Sequence, residues 1–313
     1  MTPPERAAVA DSPRHGRLKV ALLGAGYIGT DLLIKIRRSP WLNCTVVAGR
    51  NLAGDGLRQA RAMGFAVTDG GIDALVNDRR DHYQLVFDAT NALAHQTHWD
   101  LLRPLGKRVI DLTPSRAGFM VVPTVNGEDA PAHPNVNLIS CGGQASIPIL
   151  HALSRHFRGI RYIELVTTAS SPSVGRATRL NLDEYVQTTE SAIQAFTGVA
   201  QVKSLVNISP AQPPANFRVA LSLLVDGVDP AAVTAVVTRA AAVVRSYAPG
   251  YRLCACTVLG GDRVFVTVEV QGRGDLLPTY AGNLDIINDA AVTVAEQHAR
   301  ARAALAIPAR EMA

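Results

Sequence analysis

Hydrophobic and polar positions in the first 140 residues switch repeatedly between strand and helix periodicity. The apolar run Leu18–Leu23 ends in glycine, and Leu32, Leu33 and Ile36 then recur at helical spacing until Ser39-Pro40. The further strand and helix candidates follow in alternation: Cys44–Ala48, Asp55–Met63, Gln84–Phe87, Ala92–Leu105 and Arg108–Leu112. Strands alternating with helices of this length predict an α/β fold, a doubly wound parallel sheet with helices on both faces.

The pattern changes after about Ser140, where the strands become longer and rich in β-branched residues. Val136–Ile139 is the last strand candidate before this change. Beyond it, the strand candidates are Tyr162–Thr168, Arg218–Val225 and Arg263–Val270, and the helix candidates are Gln144–Phe157, Leu182–Phe196, Pro230–Tyr247 and Leu284–Leu305. These elements predict an α+β domain with a mixed or antiparallel sheet covered on one face. We expect a loose tail (1–17), a first domain (18–140) on which the last helix (284–305) packs, and a second domain (141–283).

Composition and charge narrow the classes of function. Of the 313 residues, 48% are hydrophobic and 18% are charged, as in ordinary globular proteins. The net charge of +5 comes from scattered arginines, so we expect no nucleic-acid partner. The apolar runs are too short to cross a membrane, and no secretory signal pattern opens the chain. With four cysteines that we expect to be reduced thiols, the chain is predicted to be cytoplasmic.

A glycine-rich turn follows the first strand and opens the first helix. Its residues are Gly24, Ala25, Gly26, Tyr27, Ile28 and Gly29. In this context Gly24 permits a tight turn, Gly26 lets a pyrophosphate approach the backbone, and Gly29 lets the helix pack closely on the strand. The free N–H groups of the helix N-terminus would bind the phosphates. The pattern predicts a Rossmann-type dinucleotide site; the alternative is a glycine turn without a ligand.

The residues after the second strand leave the choice of nicotinamide cofactor open. An NAD site usually has an acidic residue there to bind the ribose hydroxyls, but this chain has Arg50-Asn51. Arg50 can pair with a 2′-phosphate, which favours NADP, or it can be an exposed arginine beside a ribose held by the backbone. Asp55 could replace the missing acid if the loop folds back.

Cys141 lies between a predicted strand and a predicted helix and is followed by Gly142-Gly143. A helix N-terminus lowers the pKa of a thiol, and the two glycines leave backbone N–H groups that can bind an oxyanion. Such a thiol would add to an aldehyde, pass hydride to a nicotinamide and retain the acyl group as a thioester. The alternative is a buried structural cysteine.

Other residues with reactive side chains give weaker signals. His95 and His98 have helical spacing without an evident third ligand, and we expect them on a helix surface. Asp88 and Asp111 end strands, where they can orient a cofactor or stabilise turns. His151 lies two helical turns beyond Cys141, too far for direct proton transfer. Cys254 and Cys256 have no matching His or Cys pair nearby in the sequence, so we expect no metal site. They would share one face of a strand and pack there.

Motifs along nearly the whole chain, from about residue 18 to 305, resemble the CoA-acylating acetaldehyde dehydrogenases that partner a 4-hydroxy-2-oxovalerate aldolase in aromatic-ring catabolism. The motifs are Lys19-Val20-Ala21 through Gly29–Leu32, Phe87–Thr90, Ile110–Pro114, Cys141–Ala145, Thr178-Arg179, Asp183–Tyr185, Pro210-Ala211 with Pro213-Pro214, Gly250–Leu253 and Tyr280–Ile286. The resemblance implies that Cys141 carries the acyl group to coenzyme A, that the second domain dimerises, and that an aldolase is a partner. It assigns cofactor contacts to Ala25–Ile28, to Asn283, and to Pro172, Ser173, Val174, Gly175, Arg176, Ala177, Thr178, Arg179 and Leu180.

The chain departs from the family pattern at four places. Arg50-Asn51 replaces an acid, Gly175-Arg176-Ala177 replaces Gly-Pro-Gly, and Arg218-Val219 replaces an Arg-Asp pair that points at the active centre. The segment between Leu253 and Arg263 is also short. Losing a carboxylate to Val219 favours a less polar or bulkier acyl group than acetyl.

Two other functions remain open at this point. A phosphate-dependent semialdehyde dehydrogenase or acyl-phosphate reductase shares the plan of a Rossmann domain followed by a cysteine. It would need a His and Arg set for phosphate, and no convincing histidine follows Cys141. A non-catalytic nucleotide-sensing subunit is the alternative from another class, and the intact motif around Cys141 counts against it.

Overall fold

The computed structural model of the protein describes residues 16–306. Most of the predicted tail, residues 1–15, lies outside that range. Arg17, the last residue of the tail, donates a hydrogen bond to the Ser39 carbonyl at 3.0 Å. In the described range, no helix combines the length and the apolar character that a bilayer crossing requires.

Twelve strands and ten helices make up the described chain. The strands are β1 (Leu18–Leu23), β2 (Leu42–Ala48), β3 (Val67–Thr68), β4 (Leu85–Asp88), β5 (Arg108–Asp111), β6 (Phe119–Met120), β7 (Asn135–Asn137), β8 (Ile160–Ser170), β9 (Val202–Ser209), β10 (Phe217–Val225), β11 (Tyr251–Leu259) and β12 (Arg263–Val270). The helices are α1 (Tyr27–Arg38), α2 (Asp55–Ala62), α3 (Gly71–Val76), α4 (Ala92–Leu102), α5 (Pro123–Asn126), α6 (Cys141–His156), α7 (Arg176–Leu180), α8 (Leu182–Thr197), α9 (Pro230–Arg245) and α10 (Gly282–Ala306).

The first sheet has seven strands in the order β3-β2-β1-β4-β5-β7-β6, and every strand pair is parallel. Alternate residues of β1 serve its two faces. Val20 and Leu22 pack with α1, α2 and α10, whereas Ala21 and Leu23 pack with α3 and α4. The predicted doubly wound α/β fold is confirmed, and its strands are apolar throughout because both faces are covered.

The second sheet has five strands in the order β11-β12-β10-β8-β9. Only β8 and β9 are parallel, so the sheet is mixed, as predicted. Its inner face, with residues such as Leu165, Val219 and Val266, packs against α6, α8 and α9. Within residues 16–306, no helix packs on its outer face, where Leu205, Leu259 and Phe265 are exposed. One layer of helices on one face is an α+β arrangement.

Helix α10 returns to the first sheet and packs against α1. Lys35 of α1 is buried between two carboxylates of α10, with Nζ 2.6 Å from Asp285 and 2.8 Å from Asp289. Burial raises the pKa of Asp289 to about 6. This ion-paired cluster connects the helix that follows the glycine-rich turn to the last helix of the described chain.

In the second sheet, β9 is absent from the predicted elements, and β11 is predicted only as a strand around Cys254 and Cys256. In β11, Leu253 pairs with Val268 and Ala255 with Thr267, so Cys254 is the extra residue of a β-bulge. The bulge breaks the alternation of faces, and the prediction that Cys254 and Cys256 share a face is wrong. Cys254 is exposed, whereas Cys256 packs against the core.

Candidate functional site

The turn between β7 and α6 presents Cys141 at the N-terminus of a helix. Just after β7, Ile139 adopts a positive φ of 68°, which is uncommon for a branched residue and turns the chain sharply. The Ser140 side chain then caps α6 by accepting a hydrogen bond from the Gly143 N–H at 2.9 Å. This cap starts the helix at Cys141 rather than at the predicted Gln144.

The Cys141 thiol lies beside a buried hydroxyl. Cys141 is half-buried, and its Sγ is 3.4 Å from the hydroxyl oxygen of Tyr185. That oxygen accepts a hydrogen bond from the Gly142 N–H at 2.9 Å. A Cβ on residue 142 would lie 2.5 Å from both the Tyr185 hydroxyl and Thr167 Oγ1, so glycine is required there. Tyr185 and Thr167 thus form one wall of the thiol site.

Two expectations about this turn are wrong. Burial raises the pKa of the Cys141 thiol to about 11, because desolvation of the thiolate outweighs the favourable helix N-terminus. The N–H groups of the two glycines are also not free to bind an oxyanion. The Gly142 N–H is bound by Tyr185, and the Gly143 N–H by Ser140. Burial therefore favours the protonated thiol at this site in the free protein.

The histidine that follows Cys141 on α6 is engaged elsewhere. Nδ1 of His151 lies 2.9 Å from the Phe196 carbonyl oxygen. Among residues 16–306, Cys141 Sγ forms no hydrogen bond with an imidazole or a carboxylate. This arrangement fits the expectation that His151 does not transfer protons with the thiol.

The glycine-rich turn joins β1 to α1 at the carboxyl edge of the first sheet. Gly24 has a φ of 100°, and a Cβ there would lie 2.6 Å from the Ala89 carbonyl oxygen. Gly29 packs against the Gly24 carbonyl, whereas a Cβ on Gly26 would meet no protein atom within 4 Å. Gly26 caps α1 without a side-chain hydrogen bond, so the first N–H groups of the helix face an open space that suits a phosphate.

Arg50 and Asn51 follow β2 at the same edge of the sheet, and both are exposed. Arg50 forms no salt bridge within the described range, so its guanidinium is free to meet an anion. Asn51 is used locally, because its Oδ1 accepts a hydrogen bond from the Ala53 N–H at 2.9 Å. Asp55 pairs with Arg58 one turn along α2 and is exposed.

The segment Pro172–Leu180 folds back at the end of β8. It begins in a 3-10 turn that holds Ser173 and ends in α7. Nδ2 of Asn283 donates a hydrogen bond to the Ser173 carbonyl at 3.1 Å. The Oδ1 atom of Asn283 is buried and has no hydrogen-bond partner in residues 16–306. A buried amide oxygen without a donor is suited to accept the carboxamide N–H of a nicotinamide.

Helix α10 brings these two candidate cofactor segments together. Asn283 in its first turn holds Ser173, and Asn288 further along donates a hydrogen bond to the Ile28 carbonyl at 3.1 Å. The two asparagines are five residues apart, which is about 7.5 Å along a helix. The segment after β8 and the N-terminal turn of α1 therefore lie against the same stretch of α10.

The placement of His95 and His98 on a helix surface is wrong. His95 is fully buried, with Nδ1 2.9 Å from Asp88 and 3.5 Å from Asp111, and His98 Nδ1 is 2.8 Å from Asp88. Asp88, His95 and Asp111 are close enough to hold a metal ion. Their contacts are instead satisfied by hydrogen bonds, including Asp88 with Thr90 and Asp111 with Ser115. The cluster stabilises the turns after β4 and β5.

Several residues of the thiol site give no local signal in the sequence. Tyr185 lies 44 residues from Cys141, and in the sequence it belongs only to a family motif. Thr167 has no distinguishing feature in the sequence, and it lies near the site because β8 passes close to the start of α6. Ser140 could have been recognised, because a serine directly before a helical stretch is a cap signal.

Comparison with known proteins agrees with both halves of the structure. A family model of the prokaryotic acetaldehyde dehydrogenase dimerisation domain matches residues 141–278, and a model of the semialdehyde dehydrogenase NAD-binding domain matches residues 19–133. Acetaldehyde dehydrogenase of Streptomyces griseus is 55% identical over 280 residues, 90% of each chain. The enzyme of Geobacillus thermodenitrificans is 45% identical over 90% of this chain and 96% of its own, and that of Pectobacterium atrosepticum 44% identical over 90% and 95%.

Proposed function

The chain belongs to the prokaryotic acetaldehyde dehydrogenase family, and from that premise we propose that it interconverts a short aldehyde and its acyl-CoA through a thioester on Cys141. It is an NAD-linked aldehyde dehydrogenase by its relatives and by its NAD-binding domain. The single observation that carries the thioester is the position of Cys141, a thiol at the start of α6 in a chain with a dinucleotide-binding fold.

The described residues fit a nicotinamide dinucleotide. The turn Gly24–Gly29 would hold the pyrophosphate at the N-terminus of α1, with Ala25, Tyr27 and Ile28 around it. Arg50 is free to contact the ribose edge, which keeps NADP in the proposal beside NAD. Asn283 and the segment Pro172–Leu180 would hold the nicotinamide, and the unpartnered Asn283 Oδ1 supports this role.

The proposed reaction requires three steps at Cys141. Cys141 must lose its proton, add to the aldehyde carbon and keep the acyl group as a thioester until the CoA thiol takes it. The bound nicotinamide supplies the hydride acceptor, and in its oxidised form a positive charge. Because burial disfavours the thiolate in the free protein, a nearby positive charge would favour the thiolate when the cofactor is bound.

The acyl group that the site accepts is set by apolar neighbours. Val219 of β10 is paired with Thr167 in register and is fully buried on the inner face of the sheet. An apolar residue at this position favours an alkyl chain over a polar one. We propose a short acyl group, acetyl or somewhat larger, with the aldehyde supplied by a 4-hydroxy-2-oxovalerate aldolase partner.

The dimerisation domain supports a homo-oligomer. We propose that two copies of the protein form a dimer through the outer face of the five-stranded sheet, where Leu205, Leu259 and Phe265 are exposed. Exposed apolar side chains without a covering layer of helices are typical of such interfaces. A cytoplasmic location is also part of the proposal, and the four free cysteines are consistent with it.

A panel of acyl-CoAs with NADH and NADPH, followed by absorbance, tests substrate and cofactor together. We expect CoA-dependent turnover that Cys141→Ala abolishes. Turnover that persists in Cys141→Ala would refute the thioester, and a preference for phosphate over CoA as acyl acceptor would favour the phosphate-dependent alternative. No turnover with any pair, together with no thiol that substrate protects from iodoacetamide, would favour a nucleotide sensor.

A further inference from the structure

Helix α8 holds the start of α6 through two side chains one turn apart. Thr189 Oγ1 lies 2.7 Å from Oγ of Ser140, the residue that caps α6. One turn earlier, the Tyr185 hydroxyl accepts the Gly142 N–H at 2.9 Å and lies 3.4 Å from Cys141 Sγ. Tyr185 is 4% exposed, so its hydroxyl group is removed from bulk water.

The geometry constrains the direction of the Tyr185 proton. A phenol oxygen that accepts a backbone N–H directs its own O–H away from that N–H. Cys141 Sγ lies within reach of this O–H, and Thr167 Oγ1 borders the same space. Burial and the nearby thiol raise the pKa of Tyr185 well above its ordinary value, so the phenol keeps its proton at neutral pH. It is therefore a donor whenever the sulfur is negative.

We propose that Tyr185 is a further catalytic residue, whose hydroxyl donates a hydrogen bond to the Cys141 thiolate. As nucleophile, the thiolate keeps this bond until Sγ bonds the aldehyde carbon. In acyl transfer, which rests on the proposed function, the CoA thiolate forms a bond to the acyl carbon and the bond from that carbon to Sγ breaks. The electron pair returns to Sγ, and Tyr185 stabilises it without giving up its proton.

Tyr251 offers a matched control. It is also fully buried, and its hydroxyl donates a hydrogen bond to the Ala145 carbonyl of the same helix at 2.6 Å. Within residues 16–306, its hydroxyl forms no hydrogen bond with Cys141 Sγ. Replacing either tyrosine with phenylalanine removes one buried hydroxyl that contacts α6, but only Tyr185→Phe removes a donor to the sulfur.

The experiment measures the rate of Cys141 alkylation by iodoacetamide against pH, without substrate, in the full-length protein. Tyr185→Phe should shift the profile upward by about one to two pH units, the size expected for a hydrogen bond to a charged group. At every pH below the wild-type midpoint its alkylation would be roughly ten- to a hundredfold slower. Tyr251→Phe should leave the profile unchanged. An unshifted Tyr185→Phe profile, or an equal shift in both variants, would overturn the proposal.

A second route applies if Tyr185→Phe does not fold. Protein in which tyrosine is replaced by 3-fluorotyrosine keeps the hydroxyl as a stronger donor, so the alkylation profile should move to lower pH. An unchanged profile would contradict the hydrogen bond to Sγ. Both measurements are independent of turnover, and a failure of CoA-dependent activity in the wild type would count against the proposed function alone.

Discussion

At the scale of single residues, burial and hydrogen-bond partners together set the pKa of each polar group. Cys141 begins a helix, yet desolvation raises its pKa to about 11. Burial also raises the pKa of Asp111 to about 6. Asp88 behaves differently, because the hydrogen bonds from His95 and His98 overcome its burial and hold its pKa below the usual range. The partner that each buried group finds therefore fixes its charge.

The His95 contacts predict a pH-dependent stability. Burial opposes the charged imidazole, but Asp88 and Asp111 overcome it and raise the His95 pKa. The folded protein then binds this proton more tightly than the unfolded chain. The stabilisation is complete below the unfolded pKa of about 6.5 and is lost as pH rises through the folded value.

His95→Asn should therefore lower the free energy of unfolding by about 3–5 kcal/mol at pH 6, because it removes the one imidazole that contacts both buried carboxylates and leaves only Asp88 with a histidine, His98, among residues 16–306. The deficit relative to the wild type should shrink as pH rises. Urea unfolding at several pH values measures it, and His82→Asn, at an exposed histidine, is the control. A deficit that stays constant with pH would contradict a charged His95.

At the scale of elements, buried ion pairs fix how helices meet. Lys35 joins α1 to α10 across 250 residues of sequence through Asp285. Lys35→Met should destabilise the protein by about 3–5 kcal/mol, since it leaves two buried carboxylates with only Arg273, 3.6 Å from Asp289. Chemical unfolding measures the change.

Two further variants make the test of Lys35 specific. Adding Asp285→Asn and Asp289→Asn to Lys35→Met should recover part of the lost stability, because the unpaired charges are then removed. Arg58→Ala breaks an exposed pair with Asp55 and should change stability by at most about 0.5 kcal/mol. Equal changes in the free energy of unfolding for Lys35→Met and Arg58→Ala would show that the buried ion pairs stabilise the protein no more than an exposed pair.

The sequence predicts helices and strands correctly where the hydrophobic periodicity is strong, but it does not predict which elements contact each other. β1 has the predicted ends, Leu18 and Leu23. In α4 the pattern is inverted, because Leu93 is 76% exposed while His95 is buried. The reason is a pair of carboxylates at distant strand ends, which no local pattern reveals. The same limit applies to the Cys141 thiol: the sequence shows that a helix starts there, but it does not show the burial that raises the pKa of the thiol.

At the scale of the whole molecule, the two sheets differ in how they are covered. The seven-stranded sheet carries helices on both faces, and the five-stranded sheet on one face only. Motif spacing and hydrophobic periodicity were sufficient to predict both sheets and the helix start near Cys141. They could not show which residues surround Cys141, because β8 and α8 reach it only through tertiary packing.

The open face of the second sheet predicts the effect of a charge on association. Phe265→Glu places a carboxylate on that face and should convert the proposed dimer to monomer at micromolar concentration, because a buried unpaired charge opposes association. Size-exclusion chromatography with light scattering measures the mass. Leu93→Glu, at an exposed leucine of α4, should leave the mass unchanged. An unchanged mass for Phe265→Glu would place the interface elsewhere.

The mass of the protein after incubation with an acyl-CoA shows whether Cys141 carries the acyl group. Incubation with an acyl-CoA that supports turnover, without reduced cofactor, should add one acyl group to the wild type and to Cys256→Ala. Cys141→Ala should add none, because its remaining thiols lie away from the site. Acylation of Cys141→Ala to the same extent, or turnover in a wild type that never becomes acylated, would contradict the account.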